Sequence, residues 1–514
     1  MLDVSSNSTT AMPMNPLYSI AEIRATEQSA ARQLPPGALM QRAGQAAANA
    51  ALDLLPFTPA QCKVLLLAGP GNNGGDALDM AAHLAHAGMR VSVWLLPDSG
   101  APSAQRQDAL QRARASAATF VEPSAAAIAG GVWTLVVDGL FGIGLQRPLG
   151  GAIRAAVEQI NALDCRVLAL DVPSGLNADT GAVVGPDGVA VRATHTVTFI
   201  GDKPGLHTGD GRDHAGAVQV ARLDIDASHF APARAHLSGV GHFARHARPR
   251  RQNSHKGSHG SVVVIGGAHG MAGAPVLAAR SALFAGAGRV YVAFPEEAPA
   301  YDSGHPELMF RLAADVDFDA AVLVAGPGLG ASHRARDFLQ RAIDSGSALV
   351  LDADALNLMA AEPELQTALA LRGTGAVLTP HPLEAARLLG VSVAEVQADR
   401  LAAARLLAAQ MQVTVALKGS GTVLASASGD VVVNTTGNPA LATAGTGDVL
   451  AGLCGALLAQ GWPQWEAAQA AVWLHGMAAD VLVADGVGPI GLTASELVPA
   501  IRVAINRMVQ QRTA

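Results

Sequence analysis

Apolar runs of strand length alternate along the chain with longer stretches in which small and apolar residues recur at helical spacing. After Pro35-Pro36 a helix is predicted over 37–55. Strands over 62–68, 91–96, 133–138, 166–171 and 195–200 follow, with helices over 76–88, 102–117 and 150–162 between them. Continuous Val/Leu runs separated by helices indicate a mostly parallel sheet covered on both faces. The pattern lapses after Asp226. Residues 228–256 are rich in Ala, His, Arg and Pro, show no strand pattern, and read as a joint. It then restarts with strands over 261–265, 290–294, 321–325, 348–352, 375–379 and 413–417, and a hairpin over 421–427 and 430–434. Helices are expected over 272–286, 333–345, 382–389, 395–410, 463–484 and 493–510. Residues 449–458 are apolar on every side, which predicts a fully buried helix opening at Thr446. The expected class is α/β, as two three-layer αβα domains over 1–228 and 251–514, with a linker over 229–250.

Composition matters mainly for what it excludes. Half of the 514 residues are hydrophobic and 15% are charged, so disorder over most of the length is excluded. A net charge of −7 argues against a nucleic-acid partner. The one basic cluster, Arg245 to Arg251, lies in the joint. Cys62, Cys165 and Cys454 are far apart in sequence and read as small core residues in a reducing compartment. The N-terminus has no basic, apolar leader pattern, and the apolar runs read as strand or core-helix size. These features lead us to expect a soluble, cytoplasmic protein with no membrane partner.

Chemistry gathers at the strand ends, where open α/β sheets bind ligands. In the first half, strand 62–68 runs into Gly69-Pro70-Gly71-Asn72-Asn73-Gly74-Gly75-Asp76. The glycines permit close approach of backbone to phosphate, Asp76 is placed to cap the next helix, and the Asn pair offers oxygens that suit a hard cation. Asp138-Gly139-Leu140-Phe141-Gly142-Ile143-Gly144 and Asp171-Val172-Pro173-Ser174-Gly175 end two further strands. Each alone is compatible with a turn; three at neighbouring strand ends point to a site. In the second half, Gly326-Pro327-Gly328, Asp352-Ala353-Asp354, Thr379-Pro380-His381-Pro382 and Lys418-Gly419-Ser420-Gly421-Thr422 also end strands. Asp354 is equally a helix cap. His255 and His259 fall in a glycine loop, read as solvated in preference to zinc-binding. Gly445-Thr446-Gly447-Asp448 opens the buried helix, aiming free N–H groups and the positive end of its dipole at an anion with a carboxylate at the lip. Helix capping by Asp448 is the alternative.

The first three motifs, with Lys203-Pro204-Gly205, resemble the epimerase domain of the bifunctional NAD(P)H-hydrate repair enzymes. The later ones resemble their ADP/ATP-dependent dehydratase domain, a relative of the ribokinase superfamily. Together the likeness covers nearly the whole chain and implies a Rossmann-like fold followed by a ribokinase-like one. For the first half it implies that Asn73, Asp138 and Ser174 bind K+. It also implies that Asn72, Asn73, Gly74, Gly75, Asp76, Gly142, Ile143, Gly144, Leu145, Gln146, Arg147, Pro148 and Asp171 bind the hydrated nucleotide. Asp171 is then the acid/base at C6, with Lys203 a candidate helper. For the second half it implies that Ala274, Gly328, His381 and Asp448 contact the hydrated cofactor, with Asp448 the catalytic base. Lys418, Gly419, Ser420, Gly421, Thr422 and Gly447 would hold ADP or ATP with Mg2+. The small-molecule substrates implied are NADHX and NADPHX, and a homo-oligomer is expected. Ala77 and Ala440 stand where the family pattern leads us to expect glycine. The rival reading is a ribokinase-like small-molecule kinase, which leaves the first half unexplained.

Overall fold

The computed structural model describes residues 15–55, 58–97 and 100–511. The chain forms two compact units, one of Pro16–Ala235 and one containing His236–Ala514. The sheet of the first unit has seven parallel strands. In spatial order they are Thr119–Val121, Arg90–Leu95, Lys63–Ala68, Leu135–Gly139, Arg166–Leu170, His195–Phe199 and Ala217–Ala221. Period-two alternation sends Val64 and Leu66 to one face and Leu65 and Leu67 to the other, and all four are fully buried. Each such side chain contributes about 1.5–3 kcal/mol of burial. Strand order reverses between Lys63–Ala68 and Leu135–Gly139, so a crevice opens beyond their carboxyl ends.

In the second unit the strands Met309–Leu312, Arg289–Phe294, Ser261–Ile265, Val322–Ala325, Leu349–Leu351, Ala376–Leu378 and Thr414–Leu417 pair in parallel, in that order. The antiparallel strands Val423–Ala425 and Val431–Val433 extend the sheet. Here the order reverses between Ser261–Ile265 and Val322–Ala325. The apolar run is the helix Thr446–Ala459, buried from Val449 through Leu457. It lies against the helix Gly273–Phe284 closely enough that a Cβ on Gly452 would meet the Ala278 carbonyl at 1.9 Å.

Helix ends differ by location. Ser103, Ser332 and Ser392 cap Ala104–Ala115, His333–Asp344 and Val393–Ala398 with their hydroxyls. Gly71 and Gly445, which precede Asn72–His86 and Thr446–Ala459, provide no side-chain cap.

Several expectations need correction. The helix expected at 76–88 is Asn72–His86, because its glycines are absorbed into the first turn; Asp76 lies inside it and does not cap it. The helix expected over 395–410 is two, Val393–Ala398 and Arg400–Met411, broken at Asp399, whose carboxylate caps the second. Within the stretch read as a joint, Phe243 and Ala247 are buried in the second unit's core. Gln464–Ala484 is, by length and composition, apolar enough to cross a membrane, contrary to the estimate from run length; most of it is buried in the unit's core. Weakly periodic elements escaped the pattern altogether, among them Ile20–Ala31, Ala217–Ala221 and Ala353–Ala361.

Candidate active sites

At the first switch point lies a cavity of ≈ 780 Å³, lined by Glu27, Asn72, Asn73, Asp76, Gly142, Ile143, Gly144, Leu145 and Asp171 among others. Asp171 leaves its strand with φ +66, a left-handed conformation that costs a non-glycine residue roughly 1–2 kcal/mol. Its carboxylate accepts the Ile143 N–H at 3.2 Å and the Lys203 ammonium at 2.7 Å. Lys203 is fully buried and spends its other donors on Thr198 Oγ1 at 2.6 Å and the Phe199 carbonyl at 2.9 Å. It therefore fixes Asp171 in place and has no donor left over for a ligand. A Cβ on Gly142 would sit 2.7 Å from Asp171 Oδ2 and 3.5 Å from Asn73 Cγ, so these three groups meet. Burial, then the Asp171 charge, raises the Glu27 carboxyl above its ordinary range, and the same two causes raise Asp76 much further. The cavity thus combines the start of helix Asn72–His86 with acids whose pKa values burial raises.

Beneath the cavity, Asp138 is fully buried. Its Oδ1 accepts the Ser174 hydroxyl at 2.6 Å and its Oδ2 the Ser174 N–H at 2.7 Å. Burial pushes its pKa up to about 6 against those hydrogen bonds. Asn73 donates to the Leu170 carbonyl at 3.1 Å, while its buried Oδ1 has no hydrogen-bond partner among the described residues. The orphaned Asn73 amide oxygen is a donor of the kind that suits a hard cation.

Not all of the expected residues reach this cavity. Gly74 and Gly75 serve packing: a Cβ would lie 1.9 Å from the Gly69 carbonyl and 2.5 Å from Met40 Cε respectively. Gln146, Arg147 and Pro148 are exposed and outside the lining. Ala77 is fully buried, and its methyl fits because residue 139 has none; a Cβ there would lie 2.5 Å away.

In the second unit Asp448 occupies the first turn of Thr446–Ala459. Lys418 Nζ bonds Asp352 Oδ1 at 2.6 Å and lies 4.0 Å from Glu384 Oε2; a Cβ on Gly447 would be 3.3 Å from that ammonium. Burial, then the Asp352 charge, pushes Asp448 up to about 7 against the pull of Lys418. Burial likewise lifts Glu384 to about 7. Burial alone would lower Lys418, but Asp352, Glu384 and Asp448 outweigh it and hold the ammonium above its usual value. The result is a cation amid carboxylates, two of which ionise near neutrality.

Asp352 leaves the helix Ala353–Ala361 uncapped because its carboxylate turns to Lys418. His381 Nδ1 accepts the Leu383 and Glu384 N–H groups, and Nε2 lies 3.2 Å from Glu384 Oε1. That pattern fits a neutral ring protonated on Nε2; burial, then Lys418, lowers its pKa. Gly328 and Ala274 come together, with a Gly328 Cβ only 3.4 Å from the alanine methyl. Leu277, one turn on, would contact a Cβ on Gly445 at 2.7 Å, which links this pair to the Asp448 loop. Under the Lys418–Thr422 loop the guanidinium of Arg400 is buried and donates to the Leu417 and Lys418 carbonyls. Ala440 is buried in a 3-10 turn, its N–H on Asn438 Oδ1 at 3.0 Å, with no demand for glycine.

Sequence reasoning missed Glu27, Glu384, Arg400 and His475. The last is buried behind Thr446, and burial pulls its pKa down to about 4. Two of these had a local signal: Ser19-x-x-Glu22 and His381-x-x-Glu384 both form capping boxes, which announce helices bearing Glu27 and Glu384. His255 caps Gly257 with its ring, and among the described residues no group of three or more His, Cys, Asp or Glu could hold a metal ion.

Comparison with known proteins adds the family. Residues 36–205 match the family model described as YjeF-related protein N-terminus, and 262–502 match that of NAD(P)H-hydrate dehydratase. The bifunctional NAD(P)H-hydrate repair enzyme of Coxiella burnetii is 39% identical over 508 residues, covering 96% of this chain and 100% of that protein. The Escherichia coli repair enzyme is 37% identical over 488 residues, covering 92% and 90%. Among solved structures, the ADP/ATP-dependent NAD(P)H-hydrate dehydratase from Bacillus subtilis, co-crystallised with ATP/Mg2+, is 30% identical. It covers 52% of this chain and 97% of its own, with a TM-score of 0.44. With near-complete coverage of such relatives, the chain belongs to the family of bifunctional NAD(P)H-hydrate repair enzymes.

Proposed function

We propose that the two units share the repair of hydrated nicotinamide nucleotides as follows: the first interconverts the R and S epimers of NADHX and NADPHX, and the second dehydrates the S form at the expense of a nucleotide. In the first unit Asp171 acts as acid/base at C6, oriented by Lys203, with Glu27 and Asp76, both shifted upward by burial, nearby. Asn73, Asp138 and Ser174 would hold K+, which supplies fixed positive charge to a cavity otherwise crowded with carboxylates. The amides that open Asn72–His86 are free to receive the nucleotide's phosphates.

In the second unit Asp448 takes the proton of the C6 hydroxyl, whose oxygen attacks the terminal phosphorus of ADP or ATP. The bond from that phosphorus to its bridging oxygen breaks. Phosphate then departs from C6 with its bonding electron pair, where hydroxide could not readily do so, a proton is lost from C5 to solvent, and the C5–C6 double bond of the dihydronicotinamide re-forms; AMP remains when ADP is used. Lys418 and the amides beginning at Gly447 suit the nucleotide's phosphates, and Mg2+ would arrive with it to neutralise their charge. Ala274, Gly328 and His381 face the hydrated cofactor. The observation that carries this reading is Asp448 itself, a carboxylate ionising at about 7 over an uncapped helix start.

The test supplies hydrated NADH and ADP and follows recovery of reduced-nicotinamide absorbance together with inorganic phosphate. Asp448→Ala should block the nucleotide-dependent step and spare epimerisation; Asp171→Ala should do the reverse. Absence of recovery with active controls would remove the repair reading, and a stable phosphorylated product would favour the kinase alternative.

A further inference from the structure

The second unit contains another cavity, of ≈ 1000 Å³, that none of the chemistry above uses. It lies at the far end of the two helices that start at the Asp448 site. Leu457 and Gln460 reach it from the end of Thr446–Ala459, and Leu283 to Gly286 from the end of Gly273–Phe284. At 1.5 Å per residue, Leu457 stands about 14 Å along the helix axis from Asp448.

The floor is apolar, from Leu283, Leu457, Ile505 and Val509. The rim is basic: Arg248, Arg250, Arg251 and Arg502 line it against a single acid, Glu307. In a chain of net charge −7 this is a local reversal of sign. Arg248 and Arg251 are exposed and make no hydrogen bond or ion pair among the described residues. Helix C-termini would ordinarily repel an anion. Here Arg250 donates to the Gly286 carbonyl at 2.6 Å and Gln460 to the Ala285 carbonyl at 3.1 Å, so side chains already satisfy both. Aromatic surfaces complete the lining: Trp462 lies beside the His246 ring, and the Arg502 guanidinium lies 4.6 Å over Phe284.

We propose that this cavity is a second ligand site, for a phosphorylated small molecule carrying several negative charges and an apolar body. Arg248 and Arg251 bind the phosphates and the floor takes the body, with guanidinium forks matched to phosphate oxygens. The inference does not depend on which reaction the Asp448 site performs.

The test uses the full chain carrying Lys418→Met, which weakens the nucleotide site, and titrates it calorimetrically with ATP and with inorganic tripolyphosphate. One equivalent of ATP should bind more tightly than tripolyphosphate. Adding Arg248→Ala and Arg251→Ala should weaken both at least tenfold, and Arg251→Glu alone should weaken ATP comparably, with unfolding midpoints unchanged because these side chains are exposed and unpaired. Equal affinity for the two probes, or affinity unaffected by the arginine substitutions, would overturn the proposal.

Discussion

Replacing Asp448 with asparagine should abolish dehydration and at the same time make the second unit more stable in mildly alkaline solution. Its pKa rises from 3.8 to about 7, close to three units, or about 4 kcal/mol at ~1.4 kcal/mol per unit. Partial exposure to water reduces this to about 3 kcal/mol. The sign follows from linkage. Below the ordinary pKa, folded and unfolded chains are both protonated at this position and it contributes nothing. Between 3.8 and about 7 the unfolded chain ionises while the folded one keeps its proton, so stability falls as pH rises. Above about 7 the folded state carries the full penalty of a buried charge. Asparagine cannot ionise and escapes it. Urea unfolding without ligand should therefore find Asp448→Asn more stable than the parent by about 3 kcal/mol at pH 8 and by about 1 kcal/mol at pH 5. In the parent, dehydration should rise with pH through about 7 as the base ionises. A pH-independent difference, or a parent more stable at pH 8, would show that this carboxylate bears no such strain and would refute the reasoning.

Three further outcomes are expected. Lys203→Met strips a buried cation from Asp171, Thr198 and the Phe199 carbonyl; it should cost the first unit about 3–5 kcal/mol and eliminate epimerisation while dehydration of S-NADHX continues, and a variant of parental stability would contradict it. Replacing KCl with tetramethylammonium chloride should lower the melting point of the first unit. Asn73→Leu should erase that difference, and a persistent difference would exclude the orphaned amide oxygen as a K+ ligand. Gly139→Ala, which brings a methyl to 2.5 Å from Ala77 Cβ, should cost about 1–3 kcal/mol in urea; Ala77→Gly in the same chain should return much of the loss, and no recovery would mean another contact is responsible.

Much of this was legible because buried parallel strands write themselves as unbroken apolar runs and their glycine- and acid-bearing ends mark the sites. Asp171 and Lys418 stand at such ends, while Asp448 stands at the glycine-rich opening of the buried helix. What remained hidden was pairing over distance. Nothing local to Asp352 announces Lys418, 66 positions later, or shows that the acid foregoes a cap to reach it. Glu27 escaped because Ile20–Ala31 is only weakly amphipathic, with an Ile, a Thr and an Ala as its buried side chains. Asp76 was misjudged because two glycines look like a turn in sequence, whereas here their small size lets a helix begin hard against a neighbouring loop.

Neither Gly71 nor Gly445 offers a side chain to cap the helix that follows it, and at Gly445, with φ +88, a Cβ would meet Leu277 at 2.7 Å. Among the described residues the amides of Asn72 to Gly74 and of Gly447 and Asp448 are left for something that is not polypeptide, and an arriving phosphate becomes the missing piece of secondary structure. Each unit is then sturdier at work than idle. When nucleotide is scarce, the first turns to loosen are the ones that do the chemistry, and amide hydrogen exchange at Asn72–Gly75 and Thr446–Val449 would record how full the enzyme is.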